Sequence, residues 1–421
     1  MKIFFNIKKL GAITNSKIEF KPLMIFSGDS SLGKSYTAFV VYYFIHLFTD
    51  GRMKTFLESN HKNESFKKDG GFLFNMQDFK RWMGYDLNIY IGYLVGLESF
   101  DSDIEIDFDM ADIKISYEFL YGSSEIKDDL SKDDSLVQIK INENVYNSLG
   151  TIFNNDPIRI LEIALSKYFK EKLFNKSDSS FQTLFLPPSR AAFAGTNFST
   201  SQQLSSNLGM YKEYLKDMEA LNSISDEKFH PSKNIINLLK DLLCGEIINE
   251  KGVLYYKFED NRIPLTSAAS SIKELAPLFL LLKKFKPNEF SVLFEEPEAH
   301  THPKMQVKMA NVISHLVNKG SFFQITTHSD YFLNQINNLL KLNKVKEKDK
   351  NRFKELCVSL GIGTNSVLKP KEIGAYYFHK REDGSVEIIT QDVTNGVPFQ
   401  TFENTVDNLL NSSELIEEEL D

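Results

Sequence analysis

The run Gly28-Asp29-Ser30-Ser31-Leu32-Gly33-Lys34-Ser35 reads G-x-x-x-x-G-K-S. It is the feature that most narrows what this chain can fold into. The apolar residues Pro22 to Phe26 precede it and read as a strand. The long apolar stretch from Tyr36 to Phe48 follows and reads as a buried helix. A strand, a glycine-bounded loop and a helix are the context in which this motif cradles phosphates. Glycines let the backbone curl until successive N–H groups point inward at phosphate oxygens, and the helix start adds partial positive charge behind them. We assign the cradle to Gly28, Ser30, Ser31, Leu32, Gly33, Lys34, Ser35 and Tyr36. Lys34 is placed to reach the β- and γ-phosphates, and Ser35 to set its hydroxyl on Mg²⁺.

Composition bounds the rest. At 421 residues the chain has room for two lobes or more. Hydrophobic residues make up 42% and charged ones 25%, the balance of an ordinary globular protein. A net charge of −8 disfavours general nucleic-acid binding unless basic residues cluster. Cys244 and Cys357 stand far apart, without metal-ligand spacing, as in a reducing compartment. The N-terminal MKIFFNIKKL lacks the pattern of a signal peptide. The longest apolar runs, Phe39 to Phe48 and Leu275 to Leu282, are too short to span a bilayer. A cytoplasmic location without membrane contact is expected.

Along the chain, Lys2 to Asn6 and Lys17 to Phe20 read as short strands leading into the strand before the phosphate loop. Asn60 to Gly71 reads as a polar loop. Ile104 to Phe108, Ile113 to Phe119 and Val137 to Ile141 alternate apolar with polar residues, which predicts an antiparallel meander with one wet face. Pro157 to Phe174 has helical spacing, Thr183 to Leu186 reads as a strand, and Thr196 to Leu243 as mostly helical. Val253 to Phe258 returns to strand. Phe290 to Phe294 and Phe322 to Thr326 are apolar throughout and each precedes a helical pattern, as in a parallel sheet covered on both faces. Ala375 to His379 and Val386 to Thr390 read as a hairpin turning at Glu382-Asp383-Gly384. These segments divide as 1–50, first part of a nucleotide core; 51–180, an antiparallel β lobe with helical insertions; 181–250, a helical lobe; 251–395, the second part of the core; and 396–421, an acidic C-terminal helix or tail.

Three further pieces carry chemistry. Ser291 to His300 reads SVLFEEPEAH, an apolar strand ending in adjacent carboxylates. Ligands of parallel sheets bind at the carboxyl ends of strands. We assign Glu295 to the metal, because hard divalent ions take oxygen ligands, and Glu296 to the attacking water as general base. Gln324 to Ser329 reads QITTHS, a second buried strand, ending in His328, which can donate a hydrogen bond to a γ-phosphate. Leu265 to Leu275 places small polar residues before an apolar helix. A serine there would cap the helix, and the helix start can face a phosphate. Pro277 lies inside that helix and is expected to kink it.

In this order, GDSSLGKS, SSIKEL, LFEEPEAHTHP and TTHS resemble the ABC-type ATPase heads of the RecF, SMC and OLD-like class, closest to OLD-like ATPases of phage-defence operons. The resemblance covers the start of the chain to about Phe48 and roughly Pro187 to Phe332. It implies an α/β fold of P-loop NTPase, ABC-head type. This has a mixed, largely parallel core sheet with an antiparallel β meander and a helical insertion. It also implies ATP and Mg²⁺ as cofactors, with slow hydrolysis to ADP and phosphate by a homodimer or higher homo-oligomer that sandwiches two nucleotides. Lys34, Ser35, Glu295, Glu296 and His328 would serve one nucleotide, and Ser270 would reach the γ-phosphate held by the other protomer. Ile272 stands where such heads usually carry glycine. The resemblance leaves the glutamine that joins Mg²⁺ to the neighbouring lobe unplaced; Arg190, in Leu186 to Arg190, is a candidate for a nucleotide or lobe contact. OLD nucleases add a catalytic domain with clustered acids, and no such cluster follows His328. A separate effector, a nuclease or toxin, is therefore the expected partner in an anti-phage switch. Two other readings stay open. One is a DNA-repair or DNA-end-binding ATPase, suggested by the basic stretch Lys341 to Lys354. The other is a hydrolysis-poor, ATP-bound scaffold, suggested by Ile272.

Overall fold

The computed structural model describes residues 1–61, 70–121, 135–149, 157–176, 181–193, 208–224, 233–250, 252–398 and 400–418. The central part of the expected loop at 60–71, parts of the expected helical segment 196–243 (196–207 and 225–232) and the last three residues of the acidic tail lie outside them.

Nine strands form the main sheet, in the order β5 (Ser102–Phe108), β1 (Ile3–Leu10), β2 (Ile13–Glu19), β16 (Val386–Gln391), β15 (Ile373–Lys380), β3 (Leu23–Gly28), β14 (Phe322–Thr326), β13 (Phe290–Glu295) and β9 (Gln182–Leu186). The five strands from β15 to β9 run parallel. The β15/β16, β1/β2 and β1/β5 pairs are antiparallel. The sheet is therefore mixed, with a parallel half that runs from β15 to the β9 edge, and the expected hairpin at 375–390 sits beside the phosphate-loop strand. Two small antiparallel sheets stand apart. One is β4 (Gly70–Phe74), β6 (Ile113–Tyr121), β7 (Ser135–Ile141) and β8 (Asn144–Leu149). The other is β10 (Glu246–Glu250), β11 (Val253–Phe258) and β12 (Asn261–Pro264).

Two expectations change here. The alternating run 104–108 leaves the meander and pairs with β1, with Ile104, Ile106 and Phe108 opposite Ile7, Phe5 and Ile3. Alternation reports one wet face and does not say which sheet owns the strand. Residues 70–74, read partly as loop, are a strand. Their glycines mask the signal, and Gly71 lies so close to β6 that a Cβ would stand 2.7 Å from the Ile115 carbonyl.

Alternation along the central strands builds two cores, one on each face. Met24 and Phe26 of β3 enter one, and Leu23 and Ile25 the other. In β13, Leu293 joins the first, while Val292 and Phe294 join the second. The first core wraps α1 (Lys34–His46), α2 (Met53–His61), α3 (Met76–Val95) and α4 (Pro157–Phe174). The second packs α5 (Gly209–Ser223), α6 (Lys233–Leu243), α7 (Ser270–Lys284), α8 (Pro303–Asn318), α9 (Asp330–Lys348) and α10 (Lys350–Leu360). A helix buried on all sides is apolar all round, and α1 is buried from Thr37 to His46. A final helix, α11 (Gln400–Glu418), follows the hairpin. Among the described residues no helix is long and apolar enough to cross a membrane.

Candidate functional site

Three neighbouring parallel strands end together. Thr326 of β14 lies level with Phe26 of β3 on one side and with Glu295 of β13 on the other. The phosphate loop leaves β3, the glutamate pair closes β13, and His328 follows β14. Register alone thus gathers segments roughly three hundred residues apart on one sheet edge. They face a cavity of about 620 Å³ lined by Ser30, Ser31, Gly33, Lys34, Ser35, Tyr36, Glu295, Glu296, Thr326 and His328.

The loop is shaped by close approach. Gly28 has φ 131°, and a Cβ there would stand 2.7 Å from the Phe378 carbonyl oxygen. Gly33 has φ 90° and caps α1, with Ile13 Cδ1 2.7 Å from where its Cβ would be. Ser31 also takes a left-handed φ of 63°. Lys34 is 7% exposed and folds back onto the loop, donating to the carbonyls of Gly28 at 3.0 Å and Asp29 at 2.5 Å. Burial holds its pKa below the usual lysine value, opposed by the charges of Glu296, Asp29 and Glu298. Leu32 points its side chain into the core and has only its backbone to offer a ligand.

Glu295 is 2% exposed, and its Oε1 has no hydrogen-bond partner. Burial raises its pKa to about 7, aided by Glu296. The Ser35 hydroxyl and Arg190 act in the opposite sense. An acceptor oxygen left bare beside a serine hydroxyl and a phosphate cradle fits a divalent cation, for which oxygen ligands are preferred. Among the described residues no cluster of three His, Cys, Asp or Glu side chains could hold a metal by itself, so the ion's remaining ligands would be phosphate and water. Glu296 has φ 44°. Its N–H donates to the Thr326 carbonyl at 3.0 Å, and this left-handed residue turns the chain off the strand and leaves its own side chain exposed in the cavity. His328 is half-buried. Burial and then Lys34 hold its pKa below the usual histidine value, so the ring is neutral at pH 7.

Some site residues were not singled out in the sequence. Glu298, inside the EEPEAH run, accepts from the Thr327 hydroxyl at 3.0 Å and from the His328 backbone N–H; it holds the histidine turn against the glutamate turn. Phe39, Val95, Pro188, Leu208 and Met210 form the apolar wall of the cavity. Phe39 lies next to a motif in sequence and Pro188 within the stretch Leu186 to Arg190, while Val95, Leu208 and Met210 arrive from separate elements with no local signal to mark them.

Ser270 does not line this cavity. It is exposed at the first turn of α7. Ala269, not a serine, is the N-cap, and no side chain caps the helix. The helix runs through Pro277 to Lys284. Ile272 is 7% exposed and packs into the second core, so its bulk faces inward. Arg190 is fully buried and does not reach the cavity. It pairs with Glu274 of α7 and donates through Nη1 to the carbonyls of Pro187 at 2.9 Å and Glu295 at 2.8 Å. It joins the turn after β9 to α7 and to the end of β13.

Behind the apolar wall, polar groups crowd the far end of α1. His46 Nδ1 stands 2.6 Å from the Thr183 hydroxyl, and burial lowers the His46 pKa to about 3. Burial raises Asp50 to about 7 and Asp217 to about 8. Asp217 accepts the Phe185 N–H at 2.9 Å, joining α5 to the sheet edge.

This site and sheet define an α/β P-loop ATPase. Residues 98–333 match the family model described as the AAA ATPase domain. That is more than half of the chain, and the protein belongs to this family. No curated protein matches it. Solved structures similar to it include an SMC head bound to the C-winged helix domain of ScpA, at 12% identity over 93% of this chain and 97% of that one, TM-score 0.38. The SMC head domain from Thermotoga maritima is 9% identical over 93% and 98%, TM-score 0.36. An Smc head with an extended coiled coil, bound to the C-terminal domain of ScpA derived from Pyrococcus furiosus, is 12% identical over 97% and 100%, TM-score 0.35.

Proposed function

We propose that the chain is an ABC-type ATPase head that binds ATP with Mg²⁺, hydrolyses it slowly to ADP and phosphate, and uses the cycle as a dimerising switch. The observation that carries this reading is the common end of β3, β14 and β13, which sets Lys34, Ser35, Glu295, Glu296 and His328 around one cavity. Lys34 exchanges two loop carbonyls for phosphate oxygens, which lets the buried ammonium bind charge rather than dipoles. Ser35 and Glu295 would hold the cation, which would supply positive charge beside the phosphates. Glu296, exposed in the cavity, takes the proton from the attacking water. The neutral His328 ring donates a hydrogen bond to the terminal phosphate and senses its presence.

Ser270 supports a shared site. It lies outside its own cavity at an uncapped helix start, whose N–H groups favour an anion on a facing protomer. The switch would act on a separate effector, a nuclease or toxin, in anti-phage defence; this setting rests on the resemblance of EEPEAHTHP and TTHS. The test compares wild type with Glu296→Gln. The variant should keep ATP affinity, lose about 10²–10⁴-fold in turnover and accumulate as an ATP-bound dimer. Unchanged turnover in the variant, or no ATP binding by either protein, would overturn the reading.

A further inference from the structure

The last helix and the basic stretch have no part in the nucleotide site, and they complement each other. In α11, residues 400–418 carry five acids, Glu403, Asp407, Glu414, Glu417 and Glu418, and no base. Val406, Leu409 and Ile416, with Leu410 beside them, follow three-and-four spacing that makes one helical stripe. These residues and Leu415 are 51–66% exposed. The helix is not a loose end at its root. Asn337 of α9 donates to the Val397 carbonyl at 3.0 Å and accepts the Val397 N–H at 2.6 Å, and Val397 is buried. A clamped base thus presents an uncovered apolar, acidic arm.

The end of α9 and the start of α10 have the opposite character. Residues 341–354 hold seven bases and two acids, and Lys346, Lys348, Lys350, Arg352 and Lys354 are exposed. Val358 and Leu360, further along α10, are 83% and 57% exposed. We propose that α11 of one protomer docks on the α9–α10 edge of a second copy of this chain, acids against bases and Leu409 and Ile416 against Val358 and Leu360. An acidic arm does not suit a nucleic acid, and a basic edge with bare apolar residues suits an acidic amphipathic helix. This contact needs no nucleotide and is independent of the proposed ATP-bound dimer.

Sedimentation of the full chain, free of nucleotide and magnesium, tests it. At about 0.1 M salt the protein should self-associate, and at about 0.5 M salt the association should weaken at least about tenfold. Leu409→Asp with Ile416→Asp should abolish it. Lys348→Glu, Lys350→Glu and Lys354→Glu in one variant, and Glu414→Lys, Glu417→Lys and Glu418→Lys in another, should each be monomeric. Mixed together, these two charge-reversed proteins should associate one to one. A wild type that stays monomeric at tens of micromolar overturns the proposal. So does a mixture that fails to associate, which is the result expected if α11 folds back on its own protomer or if the basic edge serves DNA.

Discussion

Arg190 Nε lies 2.9 Å from Glu274 Oε2 with neither side chain exposed, and the same guanidinium donates through Nη1 to the carbonyl of Glu295. One buried cation therefore ties the end of the carboxylate strand to the helix that begins at Ser270. Its face also covers Phe294 at 4.6 Å. Burial disfavours the charge on both partners, and each opposes that shift in the other.

Removing one member leaves the other charge buried alone. Arg190→Ala should cost about 3–5 kcal/mol of stability, whereas Arg190→Met with Glu274→Leu should cost much less. Urea unfolding of the two variants separates the outcomes. An Arg190→Ala protein as stable as wild type would refute the coupling.

Lys34→Ala should weaken ATP binding by about 100-fold or more while changing stability by only about 1 kcal/mol. The Asp29 carbonyl belongs to an exposed residue and can turn to water, while that of buried Gly28 loses one partner. Titration with a fluorescent ATP analogue, beside thermal melting, checks both halves.

The magnesium contact proposed for Glu295 should depend on pH. Its carboxyl, raised to about 7 by burial, must lose its proton to hold the ion. Magnesium-dependent ATP affinity should therefore rise as pH increases through about 7, and magnesium-free affinity should not follow. A flat profile between about pH 6 and pH 8 would remove Glu295 from the metal.

Asp217 carries a related effect on folding. Burial raises its folded pKa to about 8, well above the ordinary carboxylate range, so the folded state holds the proton more tightly. Its contribution to stability is retained at low pH and lost as pH rises toward about 8. Asp217→Asn keeps an acceptor for the Phe185 N–H, and should raise the melting temperature more at about pH 8 than at about pH 5. An equal shift at both would contradict the burial of this acid.

Gly28→Ala should destabilise the protein by about 2 kcal/mol or more and impair ATP binding. Its φ of 131° and the Phe378 carbonyl 2.7 Å away both resist a side chain. Melting with and without MgATP measures each loss.

The phosphate loop, the glutamate pair and His328 were legible because each is a short motif attached to an apolar strand. Strands buried on both faces declare themselves by composition, and a strand's end declares where its motif will face. The strand Ser102–Phe108 was legible as a strand and misplaced as a neighbour, since partner choice depends on distant residues. A serine was expected to cap the helix that begins at Ser270, yet Ala269 holds the N-cap position and no side chain caps it.

By itself, then, the amino-acid order determined the chemistry available: a cradle for phosphate, two carboxylates, a histidine and alternating segments for a layered sheet. These follow from backbone freedom, side-chain type and spacing, all local properties. Only the tertiary structure decided that Ile272 turns inward, that Arg190 spans three elements, and that Glu298 braces the histidine turn. Those outcomes depend on which surfaces pack together, and packing is settled by residues far apart in the chain.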